Sequence, residues 1–170
     1  MPLTLTSKIT LLLESLLENT VGVANVTGNH SRQLALSLAS GVGLNQADRI
    51  YSETRTLAAS ANVTLDLSGV LLDIFGAAIL FARLKAIILL PLAANVNNVV
   101  MGAAAATIFL GPLGGATHTI ATAPGGMTCL VAPTAVGWSV GAGATDFLMF
   151  ANGGAGTGVT YDLILIGASA

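Results

Sequence analysis

The pentapeptide Gly137-Trp138-Ser139-Val140-Gly141 has the G-x-S-x-G spacing that can hold a serine nucleophile on a strained strand-to-helix turn. A hydrolase built that way needs an acid and then a histidine downstream. Asp146 and Asp162 follow Ser139, but no histidine does, and a glycine turn and strand-forming residues stand where a helix is required. The spacing is common by chance in a glycine-rich chain, so Trp138 reads as an apolar anchor and a serine hydrolase is the most distant of the functional alternatives. His30 and His118 are far apart, and neither has a Cys, His or carboxylate at metal-ligand spacing, although a trimer would bring copies of His118 together. Gly41-Val42-Gly43 lacks the third glycine and the βαβ setting of a dinucleotide loop, and there is no phosphate-binding P-loop. Asp146 and Asp162 sit on the two arms of an expected hairpin, where they would pair only if in register. Their expected task is to keep one rim of a sheet wet and unpaired. Cys129, among Met127, Leu130 and Val131, reads as a buried, inert thiol. The expectation is no catalytic residue, no metal, no cofactor and no small-molecule substrate.

What would position such residues is an unusual surface. Residues 86–145 contain no Asp, Glu, Lys or Arg; all six basic residues precede this stretch and only Asp146 and Asp162 follow it. An isolated soluble domain keeps about a quarter of its residues charged, against 8% here. This half is therefore expected to be covered by partners, first of all by copies of the chain itself as a dimer or trimer. A net charge of −2 with scattered basic residues leaves no footprint for nucleic acid. The uncharged run 99–116 is interrupted by four glycines and Pro112, and the more apolar run before it by Arg83 and Lys85, so no membrane span is expected. The N-terminus carries no basic region or cleavage site of a secretory signal, and the sequons at Asn25, Asn29 and Asn62 read as coincidental.

The 170 residues suit one domain with an appendage. Ile9, Leu12, Leu13, Leu16 and Leu17 fall at the spacing of one helix face behind Ser7, which predicts a short amphipathic helix. An extended arm is the second reading, because Thr4, Thr6 and Thr10 favour strand. Residues 20–30 read as a linker, making 1–30 an N-terminal arm and 31–170 the domain. From there the period becomes two: Leu34, Leu36 and Leu38; residues 49–57; and Val63, Leu65 and Leu67 each alternate as half-buried strands. Leu80 to Leu90 predicts a long strand with Leu84, Ala86, Ile88 and Leu90 on one face. On the other face Ile87 and Leu89 are apolar and predicted to be covered by another chain. Shorter strands follow at 97–101, 107–110, 117–122, 127–132 and 137–140. Residues 147–151 and 159–166 are predicted to close the chain as a hairpin around the glycines of 152–158. The sum is an all-β fold, a β-sandwich of jelly-roll type.

The run Ala47-Asp48-Arg49-Ile50-Tyr51-Ser52-Glu53-Thr54-Arg55-Thr56-Leu57-Ala58, followed by Leu65-Asp66-Leu67-Ser68-Gly69, resembles a family of small virion structural proteins of tailed bacteriophages and prophages. Phe81-Ala82-Arg83-Leu84-Lys85-Ala86, Pro124-Gly125-Gly126, Ala142-Gly143-Ala144-Thr145-Asp146 and Val159-Thr160-Tyr161-Asp162-Leu163-Ile164-Leu165-Ile166-Gly167 extend the likeness over residues 34–168. The resemblance implies a virion component made in the bacterial cytoplasm, best fitted by a capsid decoration or cement protein on the phage head. Its partners would be itself and the major capsid protein. A neck, tail or fibre-base subunit is the alternative. Interface candidates are Ile9, Leu12, Leu13, Leu16 and Leu17 in the arm and Ile87 and Leu89 in the sandwich.

Overall fold

The structure is a computed structural model that describes residues 4–103 and 107–170. Residues 1–3 of the expected arm and 104–106 of the charge-free stretch lie outside the described residues. Every regular element among them is a strand. In chain order these are β1 (Ser7–Val21), β2 (Ala24–Ser40), β3 (Gln46–Ala47), β4 (Arg49–Leu57), β5 (Asn62–Asp66), β6 (Leu71–Leu72) and β7 (Ala78–Ile79). There follow β8 (Arg83–Pro91), β9 (Val99–Gly102), β10 (Thr119–Thr122), β11 (Thr128–Val131), β12 (Trp138–Ser139), β13 (Phe147–Asn152) and β14 (Val159–Ala168).

Period-two alternation in the longer strands dictates how they pack. β13 reads half-buried, buried in turn, and β14 buries Val159, Tyr161, Leu163 and Leu165 on one face. Two antiparallel sheets result, one ordered β11-β8-β14-β4 with β12 also on β8, the other β10-β9-β13-β5. Their inner faces share one core: Leu84, Ile87, Leu89 and the β14 residues from the first sheet meet Leu65, Val99, Met101, Leu148 and Phe150 from the second. The Phe150 and Tyr161 rings stack across it, 5.6 Å between centroids.

One irregularity decides what the first sheet shows on its outside. Ile166 pairs with Ala86 but Gly167 pairs with Leu84, so Lys85 is an extra residue, a β-bulge. The alternation changes phase there. Leu84 faces the core, and after the bulge Ile87 and Leu89 do, while Ala86, Ile88 and Leu90 turn outward. Gly167 makes the bulge possible, because a Cβ there would stand 2.4 Å from the Arg83 carbonyl oxygen and 2.6 Å from the Phe81 ring. The Lys85 ammonium, fully buried, donates to the carbonyl oxygens of Thr134, Ala135 (2.8 Å) and Gly43 (3.4 Å). Burial, and after it the Arg83 charge, lowers its pKa.

Four expectations are corrected. The predicted helix at the N-terminus is strand β1, paired with β2 over the whole of Ser7–Val21. The doublets Leu12-Leu13 and Leu16-Leu17 satisfy helical spacing and also the two faces of a ribbon, and fifteen paired positions settle the choice. The expected linker 20–30 is the turn of this ribbon and the start of β2, with Gly22 at φ 65° in the turn. β2 runs unbroken past residue 31, so the ribbon spans the expected boundary between arm and domain. The expected C-terminal hairpin is absent: β13 pairs with β9 and β5, β14 with β8 and β4, and loop 153–158 crosses between sheets. Both strands bury their apolar faces in the same core, which a flat hairpin would prevent. Asn152 fixes the crossing, its Nδ2 donating to the carbonyls of Ala58 (3.0 Å) and Thr157 (2.8 Å). At 107–110 there is a single bridge, Ile108 to Phe147, in place of a strand.

Tyr161 yields a test of the core. Its hydroxyl is fully buried without a partner among the described residues, and burial pushes its pKa well above 10.0. A folded-state pKa above the unfolded one means that this group's contribution is intact below about pH 10 and is lost as pH rises further, because only the unfolded chain sheds the proton. Tyr161→Phe should gain about 1 kcal/mol at neutral pH, since an unpaired buried hydroxyl costs on the order of 1–3 kcal/mol. Its advantage over wild type should widen between about pH 10 and 11 in urea unfolding.

Candidate functional site

The β1–β2 ribbon carries the most distinctive chemistry on the surface. In its register Ile9, Leu11, Leu13 and Leu17 share a face with their partners on β2: Leu36, Leu34, Arg32 and Gly28. Leu38 and Val26 lie on that face too, opposite Ser7 and Asn19. The other face carries Lys8, Thr10, Leu12, Glu14, Leu16 and Glu18 opposite Ser37, Ala35, Gln33, Ser31, Asn29 and Thr27. The ribbon is therefore amphipathic, with Leu12 and Leu16 as apolar islands on the polar face.

Only the root of the apolar face is covered. Leu38 is fully buried, and Leu5, Ile9 and Leu36 pack with it against Ala47, Ala86, Ile50, Ile164 and Ile166 on the outside of the first sheet. Beyond the root, Leu11, Leu13, Leu34 and Val26 are about half exposed and Leu17 is 76% exposed. Where ribbon and sheet part company, an apolar groove of 640 Å³ opens. Ile9, Leu11, Leu34 and Leu36 form one wall; Ile88, Leu90, Met127, Cys129, Val131, Pro133 and Ile164 form the other. Fifteen residues at about 3.4 Å each make the ribbon about 50 Å long, far more than the sheet beneath its root. An isolated two-stranded ribbon is marginal in water, and its open edges invite further strands.

The arm residues named from sequence are split by this register. Ile9 is part of the covered root, Leu13 and Leu17 are exposed on the apolar face, and Leu12 and Leu16 are exposed on the opposite one. Ile87 and Leu89 are fully buried in the chain's own core, so neither offers a surface to another chain. The bulge at Lys85 is the reason: Ile88 and Leu90 are the outward pair. Leu34 and Met127 were missed, and a strand reading of residues 7–40 with Gly22-Val23 as the turn would have found the first.

The residues with chemical types are scattered. Ser139 is exposed on the two-residue strand β12, beside Trp138, which is half-buried and packed on the core. His30 is exposed on β2, and exposed His118 donates from Nδ1 to the Leu113 carbonyl at 2.8 Å. No group of three metal-ligating side chains occurs among the described residues. Asp146 does not wet a rim; it is 2% exposed and accepts from Ser68 Oγ (2.7 Å) and the Gly143 amide (2.5 Å). Ser68 also bonds Asp66, so this carboxylate ties the segment that follows β5 to the turn that precedes β13. Asp162 lies in the other sheet, bonded to Thr54 Oγ1, so the two aspartates do not pair. Tyr51, Glu53 and Arg55, alternate residues on one face of β4, form a small network: Tyr51 donates to Glu53, Arg55 donates to the Tyr51 oxygen at 2.9 Å, and Arg55 pairs with Glu53 at 2.8 Å. Cys129 is half-buried on the groove wall, its thiol pKa raised by burial.

No family model, no curated protein and no solved structure matches the chain.

The ribbon's distal half makes no contribution to the core, which leads to a prediction. Replacing residues 12–33 with Asn-Gly, a two-residue turn suited to a hairpin, should leave the body folded. The urea midpoint and the near-ultraviolet signal of Trp138 should stay close to wild type, a shift under about 1 kcal/mol. Collapse of that signal would mean that the ribbon holds the body together.

Proposed function

We propose that this chain is a structural subunit of a phage particle, a decoration or cement protein on the head whose ribbon reaches neighbouring subunits of the shell. The exposed apolar face of the ribbon carries this reading, because it has no use in an isolated molecule and is placed to be covered by a neighbour. The strand order supports it. Numbered 1 to 8 in chain order, β4, β5, β8, β9, β10, β11, β13 and β14 lie in the orders 6-3-8-1 and 5-4-7-2. That arrangement favours a jelly-roll sandwich, an architecture common in viral capsid and lectin domains. The resemblance of residues 34–168 to virion structural proteins points the same way, as do the few charges of the surface. In this reading the partners are the coat protein and further copies of the chain, assembly takes place in the bacterial cytoplasm, and no cofactor or substrate is involved.

The test is the position and copy number of the chain in an image reconstruction of purified particles. Hundreds of copies spread over the head are expected. A few copies at one vertex or along the tail would replace the proposal with the neck, tail or fibre-base alternative. On the same view Ser139→Ala should leave particle yield and folding stability unchanged, the shift staying within about 0.5 kcal/mol; loss of an ester-hydrolysing activity in that variant would overturn the structural role.

A further inference from the structure

We infer that the occupant of the groove is a second copy of this chain: the distal apolar face of one copy's ribbon covers the open groove between ribbon and sheet of another. This deepens the reading of the chain as an assembly subunit and rests on it.

The two surfaces match in chemistry. The groove is apolar apart from Lys8 and Thr10 on the ribbon side, and the ribbon beyond its root exposes an extended apolar row, Leu13, Leu17 and Val26, whereas the other exposed apolar cluster, Val70, Leu72, Ile74 and Phe75, is confined to the short β6–β7 hairpin and its flank. Each copy thus carries both halves of a self-complementary contact, which symmetric association requires. The charges match as well. The ribbon's apolar face carries Arg32, two residues beyond groove-lining Leu34, and the outer sheet face carries Asp162, paired in register with groove-lining Leu90. Neither Arg32 nor Asp162 makes an ion pair within the described chain.

Area favours a protein over a small apolar ligand. The overhanging ribbon is about 34 Å by 10 Å, so its apolar face presents on the order of 350 Å², and in a two-fold pair each copy buries this face together with its own groove walls, which approaches the roughly 800 Å² that one side of a standard stable interface buries. A ligand filling the groove would leave the rest of the face in water. Closure of the ribbon onto its own sheet would do the same, because Leu17 lies six residues, about 20 Å, beyond groove-lining Leu11.

The experiment uses the full chain. Light scattering across a concentration series should show an oligomer for wild type and for Leu12→Asp, which alters the polar face, and a monomer for the double variant Leu13→Asp/Leu17→Asp. Circular dichroism checks that each variant is folded. Leu17→Cys, with native Cys129, should form a disulfide between copies on mild oxidation, mapped to residues 17 and 129. A disulfide needs Cα atoms within about 7 Å, which a single chain cannot supply over that distance. A wild-type monomer at all concentrations, an oligomer indifferent to Leu13→Asp/Leu17→Asp, or a 17–129 bond confined to one chain would each overturn the inference. A folded oligomer with this bond that is missing from phage particles would leave the inference standing and remove the proposed function instead.

Discussion

A single extra residue, Lys85, governs the outside of this molecule. Without the bulge, β8 would keep one phase along its length and Leu84, Ala86, Ile88 and Leu90 would share a face. With it, Leu84 stays inward while Ala86, Ile88 and Leu90 turn outward. Those outward residues are the ones on which the ribbon's root rests and from which the groove is built. The bulge also delivers a cation into a place without an anion: the ammonium is satisfied by carbonyl oxygens of the 41–48 and 132–137 segments. A buried charge bound only to dipoles is tolerated when its surroundings are fixed, and here the fixing runs both ways, because the same bonds order the two loops that flank the groove. Asn45 adds to this, its amide donating to the Pro133 carbonyl at 2.8 Å.

The first sheet is consequently two-sided. Its inner face packs on the second sheet, and its outer face is apolar along β11, β8 and the Ile164 to Ile166 end of β14, then polar along β4, where Ser52, Thr54 and Thr56 point out. A sheet covered on one side alternates; one covered on both sides reads as a continuous apolar run. Ala86 to Leu90 is such a run, and the ribbon's root covers only part of it. The lack of charge along β11 and the outer face of β8 is then a local necessity, since a charged residue beneath the ribbon's root would be buried by it or would block it.

How much of this the amino-acid order reveals depends on the range of the interactions involved. β4 and β14 alternate over seven or more residues, β8 ends at a proline, and β5 alternates without a break over its five residues, so their positions are legible. The ribbon is legible only in part, because Leu12-Leu13 and Leu16-Leu17 suit a helix as well as a two-faced strand, and its pairing partner lies up to thirty-one residues away. The bulge leaves no mark in composition: Lys85 reads as one more outward polar residue, and its role follows from Gly167, eighty-two positions on. The separation of β13 from β14 is hidden for the same reason. A glycine-rich loop between two strands predicts a hairpin, and only the shared burial of Phe150 and Tyr161 shows that the loop must cross the core instead. The G-x-S-x-G run is a statement about spacing alone, and it falls on the two-residue strand β12 where that motif needs a strand-to-helix turn.

A ribbon differs from a flexible arm in when its ordering cost falls. Thirty unstructured residues fixed on contact would cost about 1–2 kcal/mol each in backbone entropy at the moment of association. Here β1 and β2 are already registered over fifteen pairs, and the root is anchored by Leu38 in the second apolar cluster. Most of that cost falls on folding, so the exposed leucines approach a neighbour on a surface shaped in advance. Preorganisation has its own liability, since two open edges and an apolar face are also what promotes non-specific pairing. Lys8, Glu14 and Glu18 on the polar face, and Arg32 within the apolar one, counter it by penalising partners that offer no matching charge. The amphipathic register thus limits both which face of the ribbon associates and with what.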